Sequence, residues 1–205
     1  MMRMKTAIIM LLTLLLAGSL AAQQQKGISV EGGSPDDRAS ARLLYWNDSA
    51  NTAAGQFAIN YGRSLWRKDY EDPAKFDAMT KGKIWRMGSN FWTNLYTDIP
   101  VTISGKAVAP GFYFLGMERS ADGASWSLAF IDPVKVRKGR IDAFDIRKAP
   151  VEFTVPMKLE PAASTSVEKL TVTLTHPEND MRNASLNVAW GNLALSAPVK
   201  VTVSE

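Results

Sequence analysis

The sequence has no cysteine and only one histidine among its 205 residues, and each shortage excludes a class of chemistry. Without cysteine the chain can form no disulfide, thiol nucleophile, thiolate metal site or lipidated cysteine. With His176 as the single imidazole, a metal site built from several histidines is impossible, and any Ser-His-Asp triad must use that residue. Packing must therefore supply the stability of the fold, and we expect neither a cofactor nor a metal.

The sequence contains one long hydrophobic run, and it lies at the N-terminus. Arg3 and Lys5 precede an apolar stretch over residues 7–17, and small residues follow it. This arrangement is typical of a secretory signal peptide that is cleaved near Ala21 or Ala22. A transmembrane anchor normally needs roughly 20 apolar residues, and this run is well short of that length. We therefore expect a periplasmic or secreted protein without a transmembrane anchor.

The excess of positive over negative charge is small. Removal of residues 1–22 as a signal peptide leaves residues 23–205, enough for one domain that buries roughly 70% of its unfolded surface. The formal net charge of +4 includes Arg3 and Lys5, so the mature part carries about +2. An excess this small does not indicate a nucleic acid or a membrane as a partner through bulk electrostatics. We expect a monomer.

Alternation of apolar and polar residues, in contrast, is abundant. Successive side chains of a strand point to opposite faces of a sheet, so each alternating run predicts a strand with one buried face. Several short strands separated by turn signals favour an all-β fold, either an antiparallel β-sandwich or a partly closed barrel. The runs cover residues 56–61, 151–158, 170–175, 186–190 and 199–204.

Short dipeptide signals divide these strands. Asp122-Gly123 predicts a β-hairpin, because both residues tolerate positive φ. Asp132-Pro133 and Lys138-Gly139 are interpreted as turns between neighbouring strands. Asp72-Pro73 combines a good N-cap with proline at the first helical position, and it predicts one short helix inside an inserted loop over residues 63–81. Loops of this length often carry function.

Three stretches resemble one known family. The segment Trp85-Arg86-Met87-Gly88-Ser89-Asn90 resembles its Trp-Arg-x-Gly-Ala/Ser-Asn signature. The segment from Gly105 to Tyr113 resembles its Gly-Lys and Pro/Ala-Gly-x-Tyr hairpin, and the segment from Trp126 to Phe130 resembles the tryptophan-led strand that follows. The family is the bacterial exported group called the domain of unknown function 2911 family. The resemblance extends from about Arg38 to the C-terminus, and it implies a secreted, β-rich domain without implying an activity.

The inserted loop departs from the commoner pattern of that family, in which Tyr-Ser-Arg-Pro leads to Lys-Gly-Arg. Here Tyr61-Gly62-Arg63-Ser64 is followed by Leu65-Trp66-Arg67. Only Tyr61 and Arg63 can be carried over from the family pattern at this point. Any family site that uses the missing Lys-Gly-Arg is therefore in doubt for this sequence.

Hydrolysis of glycans is one alternative function. His176, Glu178 and Asp180 follow a predicted strand, and they could form a metal site or a base with its orienting acid. Turn chemistry alone also explains every residue of this stretch. Two strand-end carboxylates would suit glycosidic hydrolysis, which needs an acid and a base or nucleophile at a defined separation. No acid stands in a recognisable pairing motif, so the sequence favours a non-catalytic protein.

A binding surface is the preferred interpretation, and it comprises Arg63, Trp85, Arg86, Asn90 and Trp92. Flat aromatic faces beside guanidinium and amide groups suit a glycan or a small anionic ligand, because arginine offers a rigid fork of donors. The structural alternative is that Trp85 anchors the core while Arg86 and Asn90 bond to loop carbonyls. Trp66 falls in the inserted loop and is expected to be the most exposed tryptophan.

A basic run around Gly139 comprises Lys135, Arg137, Lys138 and Arg140. It could recognise an acidic polymer of the envelope, or it could be a solvated hairpin edge on which lysine discourages strand-to-strand aggregation. The sequence leaves both interpretations open.

The sequence therefore predicts an exported, non-catalytic ligand-binding or envelope-associated β-sandwich module. Besides the hydrolase, a third possibility is a structural domain that binds a protein partner. A flat exposed apolar patch in place of a cavity would indicate that role.

Overall fold

The computed structural model describes residues 27, 29–161 and 166–203, so the predicted signal peptide lies outside the described residues. The chain divides into two units, residues 1–35 and 36–205, and every element named below belongs to the second. Within the described residues, no helix is long and apolar enough to cross a bilayer.

Among the described residues of the second unit, about half lie in strands, and two short α-helices and two 3-10 helices interrupt the strands. The helices are α1 (Pro73–Thr80) and α2 (Pro133–Lys138), and the 3-10 helices are Lys68–Glu71 and Ala143–Lys148. The strands are β1 (Arg38–Asn47), β2 (Thr52–Gly62), β3 (Lys83–Arg86), β4 (Thr93–Thr97), β5 (Val101–Ile103), β6 (Lys106–Val108), β7 (Gly111–Arg119), β8 (Trp126–Ile131), β9 (Val151–Leu159), β10 (Val167–Thr175), β11 (Asn183–Gly191) and β12 (Leu193–Val201).

These strands form one antiparallel sheet in the order β1-β2-β4-β7-β8-β9-β12-β11-β10. Outside this path, β3 pairs with β7, and β5 pairs with both β12 and β6. Strand β9 joins two halves of the sheet, because it pairs with β8 over most of its length while Lys158 and Leu159 pair with β12. In the described part of the chain β1 and β10 do not pair with each other, so the sheet is not closed.

Both halves of the sheet contribute to the larger of two buried apolar clusters. Phe57 and Leu95 from the first half lie in the same cluster as Leu170 and Leu195 from the second. Each such side chain stabilises the fold by about 1.5–3 kcal/mol through its removal from water. Every second residue of β11 from Ala184 onward is buried, as alternation requires. The predicted all-β, antiparallel fold class is confirmed.

Helix α1 begins where the sequence predicts it. The carboxylate of Asp72 accepts hydrogen bonds from the backbone N–H groups of Ala74 (2.9 Å) and Lys75 (3.3 Å), and Pro73 occupies the first helical position. The ring of Phe76 packs against Trp66 at 5.8 Å and Trp126 at 6.2 Å between centroids. The inserted loop is thus fixed to the end of the core.

The interpretation of residues 132–139 as turns and a hairpin edge is wrong. Asp132 accepts a hydrogen bond from the Val134 N–H at 2.7 Å and caps α2, in the same way that Asp72 caps α1. Val136 from α2 and Ile146 from the following 3-10 helix are buried in a second, smaller cluster. Because Phe114 of β7 also packs there, this helical excursion covers the outer face of the sheet.

Candidate functional site

A cavity of about 660 Å³ opens where β2 and β3 end and the inserted loop begins. Its lining combines tryptophans, a tyrosine and charged side chains with the backbone of two loops. The described lining residues are Asp37, Arg63, Ser64, Leu65, Trp66, Arg67, Tyr70, Trp85, Arg86, Gly88, Ser89, Lys169 and Trp190.

A close backbone approach at glycines joins two walls of this cavity. A side chain on Gly62 would overlap the carbonyl of Ser89, and a Cβ on Gly88 would lie 2.5 Å from the Gly62 carbonyl oxygen. Gly88 also has a φ of +118°, which L-residues rarely adopt. Glycine is therefore required at both positions. It lets the end of β2, which leads into Arg63, approach the loop between β3 and β4 closely.

Three tryptophans form the aromatic wall, with Trp190 in the centre. Its ring centroid lies 5.1 Å from that of Trp66 and 5.5 Å from that of Trp85. The Trp190 Nε1–H donates to the Ser64 carbonyl at 2.9 Å, which ties β11 to the inserted loop. A side chain on Gly191 would overlap the Trp66 ring, so this glycine makes room for the indole.

The two outer indoles have hydrogen-bonding capacity that the protein does not use. Trp66 Nε1 and Trp85 Nε1 are buried, and neither has an acceptor among the described residues. Buried donors are nearly always paired, because an unpaired one costs about 1–3 kcal/mol. Both residues line the cavity, but their Nε1 atoms are shielded from solvent, so the cavity meets other atoms of these two side chains.

Positive charge exceeds negative charge around the cavity. Its described lining contains the cations of Arg63, Arg67, Arg86 and Lys169 against the single carboxylate of Asp37, which gives a formal excess of three positive charges. A cavity with one sign of charge and low-dielectric walls focuses the field and attracts anions.

Asp37 holds two of the cations without neutralising the cavity. It accepts a hydrogen bond from Lys169 Nζ at 2.8 Å and lies 3.8 Å from Arg63 Nη1. The hydrogen bond from Lys169 is the main reason that the pKa of Asp37 is lowered. The Arg63 pair is too long for a hydrogen bond, so the Arg63 N–H groups can still bind a ligand.

Arg86 combines a scaffold role with its place in the lining. Its Nε donates to the Gly88 carbonyl at 3.1 Å, its Nη1 donates to the Asn90 carbonyl at 2.6 Å, and its guanidinium lies 4.1 Å from the Phe144 ring centroid. Burial is the main cause that lowers the pKa of Arg86, and Asp142 opposes it. Arginine nevertheless stays protonated at neutral pH.

The structure brings three of the five sequence-predicted residues together, since Arg63, Trp85 and Arg86 line the cavity. Asn90 is exposed beside it, has a φ of +64° and donates from Nδ2 to Asp36 at 2.6 Å. Trp92 packs elsewhere, stacked on Phe114 at 4.8 Å in the outer cluster.

Sequence reasoning did not name five lining residues that shape the charge or the aromatic wall of the cavity: Asp37, Arg67, Tyr70, Lys169 and Trp190. Trp190 carries no local signal, because its alternation indicates only a core strand. Arg67 and Tyr70 lie in the inserted loop, so the expectation that this loop carries function was the available clue.

Trp66 is half-buried in the aromatic wall, so the expectation that it is the most exposed tryptophan is wrong. Trp46 of β1, at 50% exposure, is the tryptophan that faces solvent.

The residues of the hydrolase alternative lie outside the cavity lining. His176 is exposed just after β10, with Nδ1 2.9 Å from the Pro177 carbonyl oxygen. Asp180 accepts a hydrogen bond from the Asn183 side chain at 2.6 Å. Within the described residues, no group of three or more His, Asp or Glu side chains is placed to hold a metal ion.

One family matches the chain over residues 47–199, and its description reads "protein of unknown function (DUF2911)". The matched range begins at the end of β1 and ends in β12, so it includes both halves of the sheet and nearly all of the cavity lining. No curated protein and no solved structure significantly matches the chain. The resemblance inferred from the motif at residues 85–90 is confirmed.

Proposed function

The chain belongs to the DUF2911 family, and because the description of that family assigns no activity, we propose its function from the cavity: the protein is a non-catalytic module that binds a small organic anion. The observation that carries this proposal is the formal excess of three positive charges on a lining that also contains three tryptophans. Arginine N–H groups donate to carboxylate, sulfate or phosphate oxygens.

The aromatic wall adds a preference for a ligand with a flat or apolar body. The rings of Trp66, Trp85 and Trp190 offer π faces and edges at the same cavity that gathers the cations. A planar acid or an acidic sugar would bury its ring against these indoles and direct its charge to Arg63. A neutral glycan would use the wall but would leave the cations unpaired, so an anion fits better.

A binding role fits this lining better than hydrolysis. Asp37 is the single carboxylate among the described lining residues, and it is hydrogen-bonded to Lys169. Glycosidic hydrolysis by the usual route needs two carboxyl groups that flank one bond. The protein acts in the periplasm or outside the cell, as the signal-peptide pattern of residues 1–22 supports.

A thermal-shift screen with matched ligand pairs tests this proposal. Each pair differs in one carboxylate: indole-3-acetate with indole-3-acetamide, and glucuronate with glucose. A ligand at a hundred times its dissociation constant stabilises a protein by about 2.7 kcal/mol. For a domain of this size that corresponds to a midpoint increase of roughly 5–11 °C.

The charged member of at least one pair should raise the midpoint while its neutral partner does not. Equal shifts within a pair would contradict anion recognition and favour a neutral aromatic or sugar ligand. A screen in which no charged member has any effect would favour the structural, partner-binding alternative.

A further inference from the structure

The helical excursion between β8 and β9 carries an excess of positive charge as large as that of the whole chain. Residues 133–149 contain six of the 24 Lys and Arg residues and two of the 20 Asp and Glu residues. The rest of the chain therefore holds 18 of each sign and sums to zero. The net positive charge of the chain is therefore concentrated in this one segment. We name residues 133–149 the basic platform.

The apolar residues of the platform attach it to the sheet, which leaves its cations in solvent. Val136 and Ile146 are buried and pack with Ile84 and Phe114 on the outer face of the sheet. All six cationic residues of the platform are exposed: Lys135, Arg137, Lys138, Arg140, Arg147 and Lys148.

Four of these six cations form no ion pair with the described residues. Lys135 pairs with Glu152 at 2.6 Å, and Lys148 pairs with Asp145 at 3.0 Å. Both pairs are exposed and contribute little to the stability of the fold. The platform can therefore approach a polyanion without first breaking a buried interaction.

Two large apolar side chains are exposed among the cations. Val134 is 70% exposed and Phe144 is 77% exposed, although their neighbours Pro133 and Ala143 are buried. Phe144 contacts the Arg86 guanidinium on one side of its ring and otherwise faces solvent. Removal of either side chain from water would be favourable, and the fold itself does not achieve it.

We propose that the basic platform binds the surface of an anionic phospholipid bilayer. Its cations lie over the lipid phosphates, and Val134 and Phe144 enter the boundary between headgroups and acyl chains. An acidic polysaccharide would satisfy the cations but would leave both apolar side chains in water. This surface adjoins the anion cavity at the contact between Phe144 and Arg86, and it places the mature protein on the surface of a membrane.

Vesicle sedimentation of the protein tests the proposal. We compare vesicles of phosphatidylcholine alone with vesicles that also contain phosphatidylglycerol, at low and at physiological salt. The protein should bind the anionic vesicles and not the neutral ones, and raised salt should weaken binding. The double variant Arg137→Gln/Lys138→Gln should lower the partition constant by about 30-fold. Each cation near an anionic surface contributes about 1 kcal/mol to binding, and the variant loses two of them.

Matched variants distinguish binding by the platform from nonspecific adsorption of the protein to vesicles. Phe144→Ser should weaken vesicle binding by about tenfold, since an exposed phenyl ring loses its apolar environment. Phe91→Ser removes an exposed phenyl ring outside the platform, and Arg42→Gln/Lys200→Gln removes two exposed cations outside it, so both should bind as the parent protein does. Unchanged thermal midpoints show that each variant is folded.

Two results would overturn the proposal. One is equal partition into anionic and neutral vesicles, or into neither. The other is binding to dextran sulfate that persists in Phe144→Ser while anionic vesicles are ignored, which would assign the platform to an acidic polymer.

Discussion

Gly88 and Gly62 approach so closely that a Cβ on Gly88 would lie 2.5 Å from the Gly62 carbonyl oxygen. This contact joins the end of β2, which continues into Arg63, to the loop after β3, which follows Arg86. Two walls of the cavity are therefore positioned by one backbone contact. Such a contact requires glycine, whose absent side chain leaves the space.

The substitution Gly88→Ala should destabilise the protein by about 2–5 kcal/mol, because it combines a strained positive φ with a steric overlap against backbone. Gly105→Ala is the matched control: its φ is +83°, and an added Cβ would meet nothing within 4 Å. It should cost about 1–2 kcal/mol from the left-handed conformation alone. Urea unfolding of both variants measures the difference, and equal losses would show that the close approach is unimportant.

Gly191→Ala should displace the Trp66 indole from the aromatic wall, since the new methyl group would overlap its ring. Trp66 stacks edge-on against Trp190, so the near-ultraviolet circular dichroism of the tryptophans should weaken. Binding of indole-3-acetate should weaken as well. A variant with parental spectrum and affinity would mean that the wall tolerates the methyl group and that Trp66 is not fixed by this contact.

Arg86→Ala separates the two roles of Arg86. The change leaves the carbonyls of Gly88 and Asn90 without their donor, so a loss of about 1–3 kcal/mol in unfolding free energy is expected. The domain should remain folded by circular dichroism and should bind indole-3-acetate much more weakly. A variant that unfolds would show that Arg86 is scaffold, and its assignment to the ligand site would then be wrong.

The stability of the α1 attachment should depend on pH through Asp77. Hydrogen bonds from Lys81 and Arg119 lower the pKa of this carboxyl in the folded protein. Its ionised form therefore stabilises the fold above the unfolded pKa of about 3.9, and the contribution disappears as the pH falls through the lower folded value.

Unfolding free energies of the parent and Asp77→Asn should accordingly differ at pH 7 and converge in acid. Asp122→Asn is a poor control, because the pKa of Asp122 is also lowered, by Ser120 and the Ala124 N–H. Glu178→Gln, in the exposed turn after β10, is the better one, because it controls for the loss of one carboxylate. A constant Asp77→Asn difference across this range would refute the linkage.

Most of the sheet could be predicted from alternation, because one buried face per strand leaves a period of two in the sequence. The Asp72-Pro73 signal likewise predicted α1. The same signal at Asp132-Pro133 was interpreted as a turn, although Asp132 caps α2 as Asp72 caps α1. The six helical residues of α2 are too few for a clear 3.6-residue period, so only the cap could have revealed the helix.

The site could be predicted only in part, because its residues come from distant parts of the chain. Local composition and motif predict Arg63, Trp85 and Arg86, and all three line the cavity. Lys169 and Trp190 reach the cavity through strand pairing that no local pattern encodes. Trp190 reaches the aromatic wall from β11, far from Trp85 in sequence, whereas Trp92, close to Arg86 in sequence, packs in the outer cluster.

Calorimetric titration of indole-3-acetate and of glucuronate into the parent protein, Arg63→Gln and Arg42→Gln tests the central claim most directly. Arg42 is exposed on β1 and outside the cavity lining, so its variant controls for the loss of one cation. The account predicts measurable binding to the parent and to Arg42→Gln, and an affinity at least about tenfold lower for Arg63→Gln, since a charged hydrogen bond contributes about 1.5–3 kcal/mol. Equal affinity for an anion in all three proteins, or no binding of either anion to the parent, would contradict an anion site in this cavity.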